Sequence, residues 1–300
     1  MPNWGEVLNE IQELSQKDPH CHALDIVRRK YLRQIFEITG RNTIAYYSGW
    51  LQKPKAPDTA VNDKDKSGFM LAIHKMDKSK GLDILIHSPG GDIAATESLV
   101  DYLYNIFGKN IRVIVPQLSM SAGTMIALSS KEIIMGKHSN LGPIDPQIGG
   151  LACQGLLAEF EKAKSDIQKN PHSAHLWQVI ISKYHPTLLG LCAQAIEWSE
   201  KMVSKWLHEN MCAGDQAKVD KIMKTFGDHK KQLSHARHIS KMECEEAGLI
   251  ITSLEDDKRL QDAVLTTHHA FMHAFAHTNC VKIIENHDGV AYIESSVPSK

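Results

Sequence analysis

The feature that most narrows the fold is an alternation of short apolar runs and amphipathic stretches between Leu82 and Met135. Leu82–His87 (Leu-Asp-Ile-Leu-Ile-His) has the length and content of a buried strand. Asp92–Phe107 then places Ile93, Leu99, Val100, Leu103 and Ile106 at helical spacing. Ile111–Val115 is almost wholly apolar, Ser121–Ser129 suits a helix, and Glu132–Met135 returns to strand. Strand, helix, strand, helix, strand at roughly 25-residue spacing implies parallel strands joined by right-handed crossovers. Runs this apolar fit strands covered on both faces. The expected class is α/β, with a parallel-sheet core and helical crossovers.

The flanks divide the rest. Residues 1–40 hold Trp4–Ser15 and Cys21–Glu37, where Ile26, Val27, Tyr31 and Ile35 share one helix face. This predicts a helical N-terminal arm suited to self-association. Thr43–Trp50, rich in β-branched and aromatic residues, predicts a strand, and Leu51–Asp65, with prolines and charges, a loop. Together with the alternating segment they form an expected core over residues 41–150. Residues 151–230 form a helical extension, since Gln154–Phe226 is helical in character and Trp177, Trp198 and Trp206 are available for packing. Residues 231–300 are expected to complete the core as an αβ unit. There, Glu243–Ala247 ends at a Gly248 cap, Leu249–Ser253 follows as a strand, Leu260–His277 as a helix, and the tail after Val297 is loose.

On that last helix Leu260, Val264, Phe271 and Phe275 define the apolar side, with His268 among them. His269, His273 and His277 point away from it. A four-residue histidine spacing invites a metal, but no HExxH pattern or carboxylate partner accompanies it, so the stripe is expected to be a solvated face. His20-Cys21-His22 is weaker still. No metal and no organic cofactor is implied.

Composition removes other classes. The chain has 300 residues and a formal net charge of −1. Its basic runs, Arg28-Arg29-Lys30 and Lys230-Lys231, are too short for a nucleic-acid footprint. Met1–Asn9 lacks a signal-peptide pattern, and no run reaches the roughly 20 apolar residues of a membrane span. A soluble, cytoplasmic protein is expected. Six cysteines (Cys21, Cys153, Cys192, Cys212, Cys244, Cys280) show no CxxC pair, which suggests reduced thiols rather than zinc or disulfides.

Two segments at strand ends carry chemistry, where open α/β sheets place their ligands. His87-Ser88-Pro89-Gly90-Gly91-Asp92 joins a strand to a helix, and its glycines permit close backbone approach and exposed amides that an oxyanion would accept. Taken alone it is equally an ordinary tight turn. Leu118-Ser119-Met120-Ser121-Ala122-Gly123-Thr124 also joins a strand to a helix. Ser121, followed by small residues, is accessible to a substrate, although a serine there can simply cap the helix. Side by side on neighbouring strands, a donor turn and a serine have the geometry of acyl transfer.

Ser-Pro-Gly-Gly followed 30 residues later by Ser-Ala-Gly-Thr resembles the superfamily of Clp proteases, signal peptide peptidases and crotonases. Ser119–Thr124 with His138-Ser139-Asn140-Leu141-Gly142-Pro143-Ile144-Asp145-Pro146-Gln147 resembles its serine dehydrogenase proteinase branch. The likeness is strong over Asp83–Gln147 and looser over His235–Leu265. It implies a Clp/crotonase-like fold and a serine peptidase with Ser121 as nucleophile. It also implies oxyanion donors at Gly90, Gly91 and Ala122, and a Ser-Asp-His order of triad residues. Asp145 then takes the acid position and His235 the base, with His238 close behind and His138 a rival. Ser119 is a competing nucleophile, and Lys162 or Lys164 would serve a serine–lysine dyad. A protein or peptide substrate and a homo-oligomer are likewise implied. Acyl-CoA chemistry of the crotonase kind and a non-catalytic scaffold are the alternatives.

Overall fold

One seven-stranded sheet carries the chain. In the computed structural model, which describes residues 3–227 and 234–296, it comprises β1 (Asn42–Ser48), β2 (Leu82–His87), β3 (Ile111–Val115), β5 (Glu132–Met135), β10 (Ile251–Ser253), β11 (Cys280–Asn286) and β12 (Ala291–Ser295). The spatial order is β10-β5-β3-β2-β1-β11-β12. The five strands from β10 to β1 run parallel, whereas β11 and β12 close the edge antiparallel. The fold is α/β with a mostly parallel central sheet. Two smaller pairings stand near the strand ends. β4 (Leu118–Ser119), β6 (Asn140–Leu141) and β9 (Ile239–Ser240) make a short sheet, and β7 (Gln147–Ile148) pairs with β8 (Leu151–Ala152) as a hairpin.

Successive strand side chains alternate between two cores, as the two-residue period requires. Ile44, Tyr46, Ile84, Ile86, Val113, Val115 and Ile133 pack on one side. That side is covered by α3 (Lys64–Ile73), α4 (Ile93–Phe107), α5 (Ala122–Ser129), α8 (Leu188–Glu209), α9 (Gln216–Phe226) and α10 (Lys241–Ala247). Ala45, Tyr47, Leu85, Ile114 and Ile134 face the other side, under α2 (Ala23–Thr39) and α11 (Lys258–His277). The first two helices lie against their own chain. Leu32 and Ile35 of α2 are fully buried in that second core, and Val7 and Ile11 of α1 (Trp4–Lys17) pack against α2 and Ala270. Each such side chain contributes about 1.5–3 kcal/mol. α6 (Cys153–Lys169) and α7 (Ala174–Ile181) complete the helical segment between β8 and α8.

Two expectations need correction. The histidine stripe on α11 is not solvated throughout: His273 is 1% exposed, and its Nε2–H donates to the Trp4 carbonyl at 3.1 Å. The Trp4 indole lies 4.0 Å from its ring, centroid to centroid, and 5.8 Å from that of His269. Of the three, His277 alone is exposed. The cause is α1 packing over this side, a contact that spacing within α11 cannot disclose. The sheet also extends beyond the expected strands, because β11 and β12 add an antiparallel edge. β10 is shorter than expected and starts at Ile251. The loose tail after Val297 and the Lys230-Lys231 pair lie outside the described residues.

Candidate active site

Ser121 stands between β4 and α5 with φ 50° and ψ −117°, a backbone conformation uncommon for a residue with a Cβ. Such a state costs on the order of 1–3 kcal/mol and persists only where the surroundings hold it. They do so here. Met120 N–H donates to Ser88 O at 2.9 Å, Ser88 N–H to Leu118 O at 3.2 Å, and Met125 N–H to Ser121 O at 3.0 Å. The serine's turn is thereby stitched to the strand end before Gly90. Ser121 forms no side-chain cap bond, so helix capping does not account for it. Ser119, two residues earlier, is fully buried, and no partner for its hydroxyl is found among the described residues. Of the two serines, only Ser121 faces open space.

The opposing wall is Ser88–Asp92. Gly90 has φ 95°, and a Cβ there would lie 2.5 Å from the Ser121 Cβ and 2.7 Å from the Met120 carbonyl. On Gly91 a Cβ would meet Val61 N at 2.3 Å. Val61 N–H donates to Gly90 O at 2.8 Å and Asp92 N–H to Val61 O at 2.9 Å, the pattern of a parallel bridge that turns the Gly91 amide away from Val61. Gly90 N–H already donates to Ser88 Oγ at 3.1 Å. The Ala122 nitrogen, first in α5, would be 2.9 Å from a Cβ on Gly90, so this amide borders the same spot. Asp92 caps α4 by accepting from Ala95 N–H at 2.7 Å, which fixes the turn's exit.

Asp145 lies in the buried run after β6, between Ile144 and Pro146. Ile144 N–H donates to Phe226 O at 3.0 Å, and Cys153 N–H to Pro146 O at 2.9 Å, so the run is pinned on both sides. The Asp145 carboxylate is 1% exposed and accepts from His235 Nδ1–H at 2.7 Å. Burial, then the neighbouring Cys192 and last the Asp145 charge push the Cys153 thiol pKa up to about 12. His235 is 22% exposed and reaches the cleft.

That cleft has a volume of about 530 Å³ and is lined by Gly90, Gly91, Ser121, His235, Met125, Ile148, Ala195 and Trp198, among others. It brings together Ser121, the glycine turn and the histidine held by Asp145. The remaining candidates fall elsewhere. His238 is exposed and outside the lining. His138 is exposed and opens on a different pocket, with His268 and His269 of α11. Lys162 and Lys164 are exposed on α6, and Lys164 pairs with Glu161 at 2.6 Å.

Two features here are not legible in the sequence. His87, the last residue of β2, is fully buried on the α11 side, 4.2 Å from Trp50 and 5.0 Å from His268 between ring centroids. Burial lowers its pKa to about 3, so the ring is neutral. Trp198 was legible only as an aromatic available for packing, yet it forms part of the cleft wall.

Residues 59–251 match the family of ClpP-like SDH-type serine proteinases. The chain belongs to this family. It is similar to two uncharacterized proteins of Methanocaldococcus jannaschii. One is 36% identical over 106 residues, 35% of this chain and 37% of the relative. The other is 36% identical over 100 residues, 33% of this chain and 34% of the relative. The match thus spans little more than a third of either relative. Among the described residues, no helix of this ClpP-like chain is long and apolar enough to cross a membrane.

Proposed function

We propose that the protein is a serine peptidase that hydrolyses peptide bonds through an acyl-enzyme on Ser121, with His235 as base and Asp145 as the orienting acid. The observation that carries this reading is the 2.7 Å bond from His235 Nδ1–H to the buried Asp145 carboxylate, on the cleft that also exposes Ser121. A carboxylate can only accept, so the proton sits on Nδ1 and the Nε2 lone pair is left to take a proton.

In the first step Nε2 removes the hydroxyl proton as Ser121 Oγ bonds to the substrate carbonyl carbon. The carbonyl π pair moves onto oxygen, and the amides of Gly91 and Ala122 donate to that oxyanion. Gly90 serves mainly by its missing side chain, since its own amide is bonded to Ser88. Collapse of the tetrahedral centre breaks the C–N bond, and the imidazolium passes its proton to the departing amine. Water then attacks the ester with Nε2 again as base, and the carboxylic acid leaves with Ser121 restored. Asp145 stabilises the imidazolium that forms twice in the cycle.

Peptide hydrolysis by purified variants tests the assignment. Asp145→Asn should lower kcat about 10³- to 10⁴-fold with little change in KM, because it favours the wrong tautomer. His238→Ala should retain wild-type rates. Full activity in His235→Ala would overturn the choice of base.

A further inference from the structure

The helical segment after β8 returns to the cleft at one place. Leu191, Ala195 and Trp198 of α8 follow at four- and three-residue spacing and so share one stripe of the helix. Ala195 and Trp198 line the cleft beside Ser121, and Leu191 continues the stripe outward at 49% exposure. An indole on an exposed helix face ordinarily samples several rotamers. This one is tied: Trp198 Nε1–H donates to Glu97 Oε2 at 3.0 Å, and Glu97 sits on α4, just past the Gly90–Gly91 turn. The bond ties α8 to α4, the helix that follows the Gly90–Gly91 turn.

Two further apolar side chains stand on the cleft wall. Met125 rises from the first turn of α5, immediately after Ser121, and Ile148 comes from the β7–β8 hairpin. Among the described residues, the ionisable side chains of the lining are those of Asp92 and His235. The first already accepts from Ala95 N–H, and the second is paired with Asp145. Among the described residues, a substrate side chain entering here meets indole, thioether and aliphatic surface, with Gln147 beside Ile148, and no lysine or arginine lines the cleft. Asp92 is engaged in capping α4, and the Glu97 carboxylate in holding the indole.

We propose, on the reading of Ser121 as nucleophile, that Trp198 is a specificity-determining residue. Its indole, fixed by Glu97, forms one wall of a subsite for an apolar side chain next to the scissile bond. The substrate class is therefore a peptide presenting an uncharged aliphatic or aromatic residue at that position. Glu97 is a positioning residue that acts through the indole.

The test uses the full chain, a fluorogenic peptide set varied one position at a time, and a fluorophosphonate probe. Wild type should favour Leu or Phe over Lys or Glu at the sensitive position by about 10- to 100-fold in kcat/KM. Trp198→Ala should erase most of that ranking, chiefly through a higher KM for the Leu and Phe peptides. Glu97→Ala and Trp198→Phe, which each lose the tie but keep a large side chain at residue 198, should give intermediate rankings. An unchanged ranking in Trp198→Ala overturns the inference, as does an equal loss on every peptide. Those results leave the nucleophile standing as long as the probe still marks Ser121. Failure of the probe on wild-type protein would instead sink the underlying assignment.

Discussion

At residue 121 the chain holds a side-chain-bearing amino acid at φ 50°, where a glycine would sit without strain. A serine kept there without a cap bond presents its hydroxyl outward. The glycine opposite is required for the same reason: Gly90→Ala would drive a methyl group to 2.5 Å from the Ser121 Cβ. With φ at 95° the alanine is strained even before the clash. That variant should lose about 2–4 kcal/mol in urea denaturation and nearly all hydrolysis. At this scale the sequence spoke well of the glycines and of Ser121, because motif and turn chemistry are local. It set His235 only narrowly ahead of His238. Only the meeting of two segments 90 residues apart put one of them on Asp145.

Among the elements, β11 shows what local periodicity hides. Cys-Val-Lys-Ile-Ile-Glu-Asn carries two charges, a poor sign for a strand paired on both sides within a sheet. Yet Lys282 and Glu285 are fully buried there. Lys282 Nζ–H donates to Asp65 of α3 at 2.7 Å and to the Ala60 carbonyl at 2.7 Å, while Glu285 accepts from Arg28 Nε–H at 2.5 Å and Arg29 Nε–H at 2.7 Å. Both sets of partners lie more than 200 residues away in the chain. The parallel strands β2, β3 and β5, by contrast, are mostly apolar and legible from their composition. Removing one member of a buried pair leaves an uncompensated charge, so Lys282→Met should cost about 3–5 kcal/mol by denaturant unfolding. Adding Asp65→Asn should recover part of that loss. If Lys282→Met is as stable as wild type, the pair does not bind β11 to α3 as described.

For the whole molecule, the sheet separates two environments: the cleft side, with Ser121 and His235, and the α11 side, where His87 and His268 are buried. Burial holds both rings neutral, and His268 is lowered further by His87, His269 and His138. Since the unfolded chain binds these protons near pH 6.5, folding is favoured above that value, and the advantage is lost as pH falls toward the folded-state pKa. By about pH 4.5, His87 alone should cost roughly 3 kcal/mol. His87→Gln should flatten that part of the stability profile between neutral and acidic pH. A variant with the wild-type slope would show that the ring is not held neutral in the fold. The α/β class and the family were readable at this scale from strand rhythm and two motifs. The cover of α1 and α2 over α11 was not, since it depends on which helix faces meet.

The most direct test of the central claim is mass-spectrometric mapping of the residue labelled by a fluorophosphonate probe. We predict a single adduct on Ser121, formed at wild-type rate in His238→Ala and at least about 10³-fold more slowly in His235→Ala. An adduct on Ser119, or labelling of Ser121 that is indifferent to His235, would contradict it.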